Sequence, residues 1–114
     1  MLAPCALGGA ITVDNVKRLK CRAIGGAANN QLRTPEAGHA LAARNIFYAP
    51  DYAINAGGLI NVADEHRGYD RTRATQKTLA IYETIKNIIE RSKNEKALPE
   101  KIADRIAEEI LQGG

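Results

Sequence analysis

Apolar residues in the first half of the chain fall into short runs that predict the strands of a sheet. Each run is too short for a helix and ends at a glycine or a proline, which is typical of buried strands bounded by turns. The runs lie at Met1–Pro4, Cys21–Gly25 and Ile46–Ala49.

Helical patterns separate these runs. Thr12–Lys20 places two valines and a leucine at spacings of three, which predicts a short helix. The next helix has clearer boundaries. Thr34 can cap it, Pro35 suits its first position, and Asn45 tolerates the left-handed conformation at its end.

The second half of the chain is predicted to be helical. A helical pattern covers Leu59–Glu65, and two longer helices follow, the first broken at Asn94 and the second starting at Pro99. The apolar faces of the two longer helices are predicted at Leu79, Tyr82, Ile85 and Ile89, and at Ile102, Ile106 and Ile110.

Strands that alternate with helices predict an α/β fold with a parallel sheet and crossover connections. About three strands make only half of a doubly wound sheet, and the C-terminal helices follow it. With 114 residues the chain forms one domain at most.

Composition excludes several functional classes. A net charge of +3, with acidic and basic residues interspersed, and an aromatic fraction of 4% argue against a nucleic-acid platform of stacked rings. No apolar run approaches the ~18 residues that a membrane span needs. Cys5 and Cys21 are expected to be reduced thiols of a cytoplasmic protein, and His39 and His66 have no partner at metal-ligand spacing.

Three segments that follow the predicted strands are rich in small residues. They are Ala3–Gly9, Gly26–Leu32 and Pro50–Gly58. Because ligands of parallel sheets bind at the carboxyl ends of the strands, their convergence predicts a ligand site. Small residues there let backbone groups approach a flat or anionic ligand.

Two features in these segments have both a structural and a functional interpretation. Asn29-Asn30 is either a turn pair or an amide donor and acceptor for a carboxamide such as that of nicotinamide. Gly57-Gly58 is either a site of close helix–strand packing or a helix N-terminus with open amides that fits a carboxylate.

A complete active site is not expected in this chain. The G-x-G-x-x-G fingerprint of a pyrophosphate site is absent, and no lysine lies in a segment that looks buried. Asp64, Glu65 and His66 have no partner at a defined spacing, so a solvated helix end is the better interpretation than acid–base catalysis.

Three ordered motifs resemble the cofactor domain of the glutamate/leucine/phenylalanine/valine dehydrogenases. They are APCALGG at 3–9, AANNQL at 27–32 and YAPDYAINAGGLINVADE at 48–65, and the similarity continues through GYDR at 68–71 and ADRIAEE at 103–109. The branched-chain members, leucine and valine dehydrogenase, look most similar.

The resemblance implies the second half of a Rossmann-like dinucleotide-binding domain at residues 1–66 and a helical segment packing on it at 67–114. It implies NAD as cofactor and reversible oxidative deamination of an L-amino acid to a 2-oxo acid and ammonia. Residues matching the family's cofactor site are Ala3, Pro4, Cys5 and Asn29. Residues matching its substrate site are Asn55, Gly57, Gly58, Leu59 and Val62. The family's members are multimeric, so a homo-oligomer is expected in the full-length form.

Val62 bears on the substrate. Glutamate-specific members that resemble this stretch carry a hydroxyl residue at the matching position. Val62 offers no partner to a side-chain carboxylate, which is costly to desolvate when unpaired. Leu59 and Val62 are three apart and share a helix face, so an aliphatic, branched-chain substrate is expected.

The family's catalytic lysines and its aspartate belong to a first domain and match no residue of this chain. One hypothesis is therefore that the sequence is the C-terminal part of such a dehydrogenase, with no catalytic residue of its own. The alternative is a catalytically inactive, truncated protein that binds another subunit through its sheet edge and acts as an assembly module.

The purified 114-residue chain is expected to form no NADH from NAD and any L-amino acid, because the general base and the other lobe that positions the cofactor are missing. Absorbance at the NADH band checks this with leucine, valine and isoleucine. Amino-acid-dependent NADH formation would contradict it.

Overall fold

The computed structural model describes residues 1–113, which fold into a small parallel sheet covered by helices. The elements in chain order are α1 (Val13–Val16), β1 (Ala23–Ile24), α2 (Pro35–Ala43), β2 (Phe47–Tyr48), α3 (Asp51–Ile54), α4 (Gly57–Glu65), α5 (Arg71–Glu95) and α6 (Pro99–Gly113).

The sheet is parallel, as the alternation of strands and helices predicts. β1 pairs with β2 in the register Ala23 to Phe47 and Ile24 to Tyr48. Leu2 adds one parallel bridge on the other side of β1, with its amide 2.9 Å from the Ala23 carbonyl oxygen. Within residues 1–113 the sheet thus has two strands, and the expected third strand is reduced to the bridge at Leu2; a separate parallel bridge joins Ile11 to Leu32.

The helix boundaries follow local capping. Thr12 and Asn15 form a reciprocal capping box at α1, but its α-helical part is one turn long because Arg18 and Leu19 continue in tighter i to i−3 turns. The expected helix over Thr12–Lys20 is thus too long. α2 begins at Pro35, and Asn45 follows its end with a φ of 55°, as expected. Thr34 holds the N-cap position, but its side chain makes no capping hydrogen bond, so that part of the expectation is wrong.

Two apolar clusters form the core. The larger one packs α2 on the sheet and contains Ile11, Val16, Ile24, Ala37, Leu41, Ile46 and Tyr48. The smaller one joins α5 to α6 around Ile88, Ile102 and Ala103, with Ala53 of α3 at its border. Burying such aliphatic side chains contributes about 1.5–3 kcal/mol each, so these clusters hold the helices against the sheet.

The prediction of the buried apolar face of α5 is wrong for the first half of the helix. Leu79 and Tyr82 are 68% and 70% exposed, whereas Ile88 is buried and Ile85 half-buried. The helix also runs past Asn94 to Glu95 and ends at Lys96, whose φ is 50°. In α6 the expected face is buried at Ile102, but exposure rises along the helix to Ile110.

A buried ion pair joins α4 to α5. Asp64 is 1% exposed, and its carboxylate accepts hydrogen bonds from the Arg73 guanidinium and from the Asp70 amide. These hydrogen bonds lower the pKa of the Asp64 carboxyl, and the bond from Arg73 has the largest effect. The expectation of a solvated helix end is therefore wrong for Asp64, which is a buried structural residue, whereas Glu65 and His66 are exposed.

The molecule is elongated, with extents of 46 × 31 × 20 Å and a radius of gyration of 15.0 Å. A compact chain of this length has a radius of gyration near ~13 Å. The 25-residue α5 is the longest element, and the apolar side chains of Leu79 and Tyr82 in its first half are exposed. Among residues 1–113, no helix combines the length and hydrophobicity that crossing a bilayer requires.

Glu100 packs its carboxyl group against α2. A Cβ atom on Gly38 would lie 2.1 Å from Glu100 Oε1, so the glycine provides the space for this contact. Glu100 Oε2 is buried without a hydrogen-bond partner in the described chain. Burial raises the pKa of this carboxyl above its usual value.

Glu100→Gln is expected to stabilise the chain at pH 7 and to have little effect at pH 4. A raised folded-state pKa means that Glu100 stabilises the fold below its ordinary pKa and that this contribution is lost as pH rises through the folded pKa. Thermal unfolding followed by circular dichroism should give a Tm about 2–5 °C higher at pH 7. Glu108→Gln, at an exposed position of the same helix, is the control. An equal gain in both variants would contradict the account.

Candidate functional site

The segments after Leu2 and β1 meet at one edge of the sheet, because the strands they follow run in parallel. The Ala28 amide donates to the Pro4 carbonyl oxygen at 3.0 Å, and the Ala27 amide lies 3.5 Å from Cys5 Sγ. Ala3–Gly9 and Gly26–Leu32, two of the three expected ligand loops, are therefore joined into one surface.

Glycines make this contact possible. A Cβ atom on Gly26 would lie 2.1 Å from the Pro4 carbonyl oxygen, and one on Gly8 would lie 2.7 Å from the Asn29 carbonyl oxygen. Real Cβ atoms do not approach oxygen so closely, so any larger residue would push the two loops apart. The small residues at these positions thus serve backbone-to-backbone packing.

The third expected loop, Pro50–Gly58, is largely helical. α3 starts at Asp51, directly after Pro50, and α4 starts at Gly57, with only two residues between the two helices. Asn55 lies between the two helices, directly after the last residue of α3. Its main-chain N–H donates to the Asp51 carbonyl oxygen at 2.9 Å. Gly57 and Gly58 are the first two residues of α4, as the helix N-terminus interpretation predicts.

Asn29 and Asn55 are hydrogen-bonded to each other. Asn55 Nδ2 donates to Asn29 Oδ1 at 2.6 Å and to the Ala27 carbonyl oxygen at 3.2 Å. The contact to Ala27 fixes the orientation of the Asn55 side-chain amide. In the flipped orientation, Asn55 Oδ1 would face the Ala27 carbonyl oxygen and be repelled by it. Asn29 Nδ2 therefore remains available as a donor and Asn55 Oδ1 as an acceptor, side by side.

Gln31 holds the loop that carries Asn29, and the sequence did not identify it as a site residue. Its side chain is fully buried, and Nε2 donates to the Gly26 and Ala28 carbonyl oxygens, both at 2.8 Å. Its main-chain amide donates to Asp51 Oδ2 at 2.9 Å. From its residue type, a glutamine in a loop of small residues is expected to be exposed. The only sequence signal for the buried role of Gln31 is its place within the AANNQL motif.

Asp51 is the second residue that sequence reasoning missed. The same Oδ2 atom that accepts from Gln31 lies 3.3 Å from the Tyr48 hydroxyl. Burial, with the Asp51 charge adding to it, raises the pKa of Tyr48, so this hydroxyl stays protonated and acts as a donor. An acidic residue in the first turn of a helix is already explained by the helix dipole. The sequence therefore gives no signal that Asp51 also accepts a hydrogen bond from the Gln31 amide.

The first turn of α4 is open at Gly58 and lies against α5 at Gly57, where a Cβ atom would be 3.6 Å from the Thr78 side chain. Within residues 1–113, the amides of Gly57, Gly58 and Leu59 donate to no backbone carbonyl and to no capping side chain. A Cβ atom on Gly58 would meet nothing within 4 Å. The arrangement can accept a carboxylate, because open amides and the helix dipole both favour an anion.

The remaining predicted site residues are exposed. Leu59 and Val62 are 74% and 61% exposed and lie on one face of α4, while Ala3 and Cys5 lie on the surface of the first loop. They have no opposing wall in the described chain. Among residues 1–113, no cluster of three or more His, Cys, Asp or Glu side chains could hold a metal ion.

Comparisons with known proteins match nearly the whole chain. The sequence model of the Glutamate/Leucine/Phenylalanine/Valine dehydrogenase family matches residues 1–107. A leucine dehydrogenase from Thermoactinomyces intermedius is 47% identical over 98% of this chain and 31% of its own length. A valine dehydrogenase from Streptomyces virginiae is 50% identical over 96% of this chain and 30% of its own length.

Among solved structures, L-tryptophan dehydrogenase from Nostoc punctiforme superimposes with a TM-score of 0.93 at 42% identity. The match covers 97% of this chain and 34% of that one. The chain thus spans about 30% of the length of the curated relatives it matches.

Gly26→Ala and Gly58→Ala are expected to have opposite effects on stability. The Gly26 substitution forces a methyl group against the Pro4 carbonyl and should lower the free energy of unfolding by about 1–3 kcal/mol. The Gly58 substitution meets no atom and removes a helical glycine, so it should raise that free energy by about 0.5–1 kcal/mol. Urea unfolding of both variants checks this. Equal effects would contradict the described loop contact.

Proposed function

Because the chain belongs to the glutamate/leucine/phenylalanine/valine dehydrogenase family, we propose that it forms the cofactor- and substrate-facing wall of an L-amino-acid dehydrogenase. The proposed reaction is the NAD-dependent, reversible oxidative deamination of an aliphatic L-amino acid to a 2-oxo acid and ammonia. The observation that carries the proposal is the Asn29–Asn55 pair, which presents a donor and an acceptor where the loops converge.

The residues present fit a nicotinamide cofactor. Asn29 Nδ2 is an unused donor beside the loop of Ala3, Pro4 and Cys5, and an amide donor matches the carboxamide oxygen of nicotinamide. The small side chains of that loop allow a flat ring to approach the backbone. When bound, NAD accepts the hydride from the substrate carbon. These residues hold and orient the ring.

The substrate is proposed to bind between Asn55 and the start of α4. Both Nδ2 hydrogens of Asn55 are engaged, so its free Oδ1 suits the substrate amine as an acceptor. The open amides of Gly57, Gly58 and Leu59 suit the substrate carboxylate.

Leu59 and Val62 are proposed to face the substrate side chain. Leu59 and Val62 themselves offer no partner to a second carboxylate, which disfavours glutamate, although His66 and Arg67 line the same cavity. The leucine and valine dehydrogenases among the relatives support an aliphatic substrate. The proton transfers of the reaction are assigned to a second lobe, because no catalytic residue is assigned in this chain.

The wider setting is part of the same proposal. Residues 1–66 would form the partial dinucleotide-binding domain and 67–114 a helical segment packing on it. The full-length protein would be a cytoplasmic homo-oligomer. The exposed Leu79 and Tyr82 on α5 favour contact with further protein, which also suits the alternative of an inactive assembly module. Activity of a complete enzyme that carries this chain separates the two.

A chimera provides that test. The segment of the Thermoactinomyces leucine dehydrogenase that aligns over 112 residues is replaced by this chain. We expect NADH formation with leucine, valine and isoleucine, and a kcat/KM for glutamate at least about 100-fold lower, because an unpaired carboxylate is costly to desolvate. A folded oligomeric chimera without activity, or one that prefers glutamate, would contradict the proposal.

Paired variants of the chimera identify the site. Asn55→Leu removes the proposed acceptor and should lower kcat/KM for leucine by about 10–100-fold. Asn61→Leu is the matched control, because Asn61 is exposed in α4 and, among residues 1–113, its side chain bonds only to Glu65 of the same helix. Similar kinetics for the two variants would exclude Asn55 from the substrate site.

A further inference from the structure

Asp51 is hydrogen-bonded to both segments that carry the Asn29–Asn55 pair, through Gln31 in the first segment and through Asn55 itself in the second. Its side-chain oxygen accepts from the Gln31 amide at 2.9 Å, which holds the end of the loop that carries Asn29. Its main-chain oxygen accepts from the Asn55 amide, also at 2.9 Å. One residue thus fixes the backbone beside each asparagine, although the two are far apart in sequence.

Gln31 continues this connection into the loop. Its Nε2 donates to the carbonyl oxygens of Gly26 and Ala28, and Asn55 Nδ2 donates to the carbonyl oxygen of Ala27 between them. Three successive carbonyl groups are therefore held by two side-chain amides. The loop cannot rotate a peptide without breaking one of these bonds, so its shape determines where the Asn29 side chain lies.

The energetics of Gln31 indicate more than space filling. Its Oε1 is buried with no partner in the described chain, and a buried unpaired oxygen costs about 1–3 kcal/mol. An apolar residue of similar size would avoid that cost but would leave the Gly26 and Ala28 carbonyls without their donor. Glutamine is suited here because both of its amide hydrogens are used.

We propose that Asp51 and Gln31 are positioning residues that hold Asn29 and Asn55 in register for ligand binding. Neither residue is proposed to touch the ligand. Asp51 sets the distance between the two segments, and Gln31 sets the shape of the loop. The kinetic consequence rests on the proposed dehydrogenase function, whereas the structural consequence can be measured in this chain alone.

The structural arm uses the ¹⁵N-labelled 114-residue chain. In the wild type, the two Asn55 Nδ2 protons should exchange slowly with water, because both are hydrogen-bonded. In Asp51→Ala and Gln31→Met, their exchange should accelerate by at least about tenfold while the Ile88 and Ile102 core signals stay unchanged. Unaltered Asn55 signals in both variants would overturn the proposal.

The kinetic arm uses the same variants in the chimera with leucine dehydrogenase. A displaced pair should lower kcat/KM for the amino acid by about 10–100-fold, with KM for the amino acid raised, at an unchanged oligomeric state. Asp51→Asn keeps an oxygen acceptor for Gln31 and Tyr48 and should restore kcat/KM to within about tenfold of the wild type. The controls are Asp14→Ala and Gln76→Met, both at exposed positions.

The outcomes are separable. If the parent chimera is inactive, the proposed function fails, and the resonances of Asn55 still decide whether Asp51 and Gln31 position it. If the chimera is active and Asp51→Ala and Gln31→Met leave its kcat/KM within about twofold, a merely structural role is indicated and the proposal is overturned. The proposal would also be overturned if Asp51→Asn lowered the kcat/KM of the chimera as much as Asp51→Ala does.

Discussion

Parallel pairing of Leu2, β1 and β2 is the constraint on which the candidate site depends. Because the three pairing segments run in one direction, the chain leaves each at the same edge of the sheet. Gly26 then allows the first two loops to touch, and Asp51 attaches the third segment to them. The asparagine pair is a consequence of this topology, since Asn29 and Asn55 are 26 residues apart in the sequence.

Much of the framework is predictable from sequence because its signals are local. The Thr34-Pro35 start of α2, its end at Asn45 and the glycine start of α4 each follow from backbone preferences of single residues. Signals that depend on distant contacts fail. α5 carries apolar residues on two faces, and only its packing on α6 makes Ile88 a core residue and leaves Leu79 exposed.

The site is predictable in its residues but not in its support. Asn29, Asn55 and the glycines stand out because polar and small residues interrupt apolar runs. Gln31 and Asp51 do not, since a glutamine and an N-terminal helix aspartate are ordinary surface residues by type. Their burial and bonding come from segments twenty residues apart meeting at the sheet edge, which no local pattern encodes.

A crystal structure of the chimera with NADH and a branched-chain 2-oxo acid tests the central claim most directly. The account predicts that Asn29 Nδ2 and Asn55 Oδ1 each lie within hydrogen-bond distance, about 3 Å, of a ligand atom, with the ligand covering Gly58. Ligands bound elsewhere, such as the cavity of about 310 Å³ beside Glu100, with both asparagines still exposed to solvent, would contradict it.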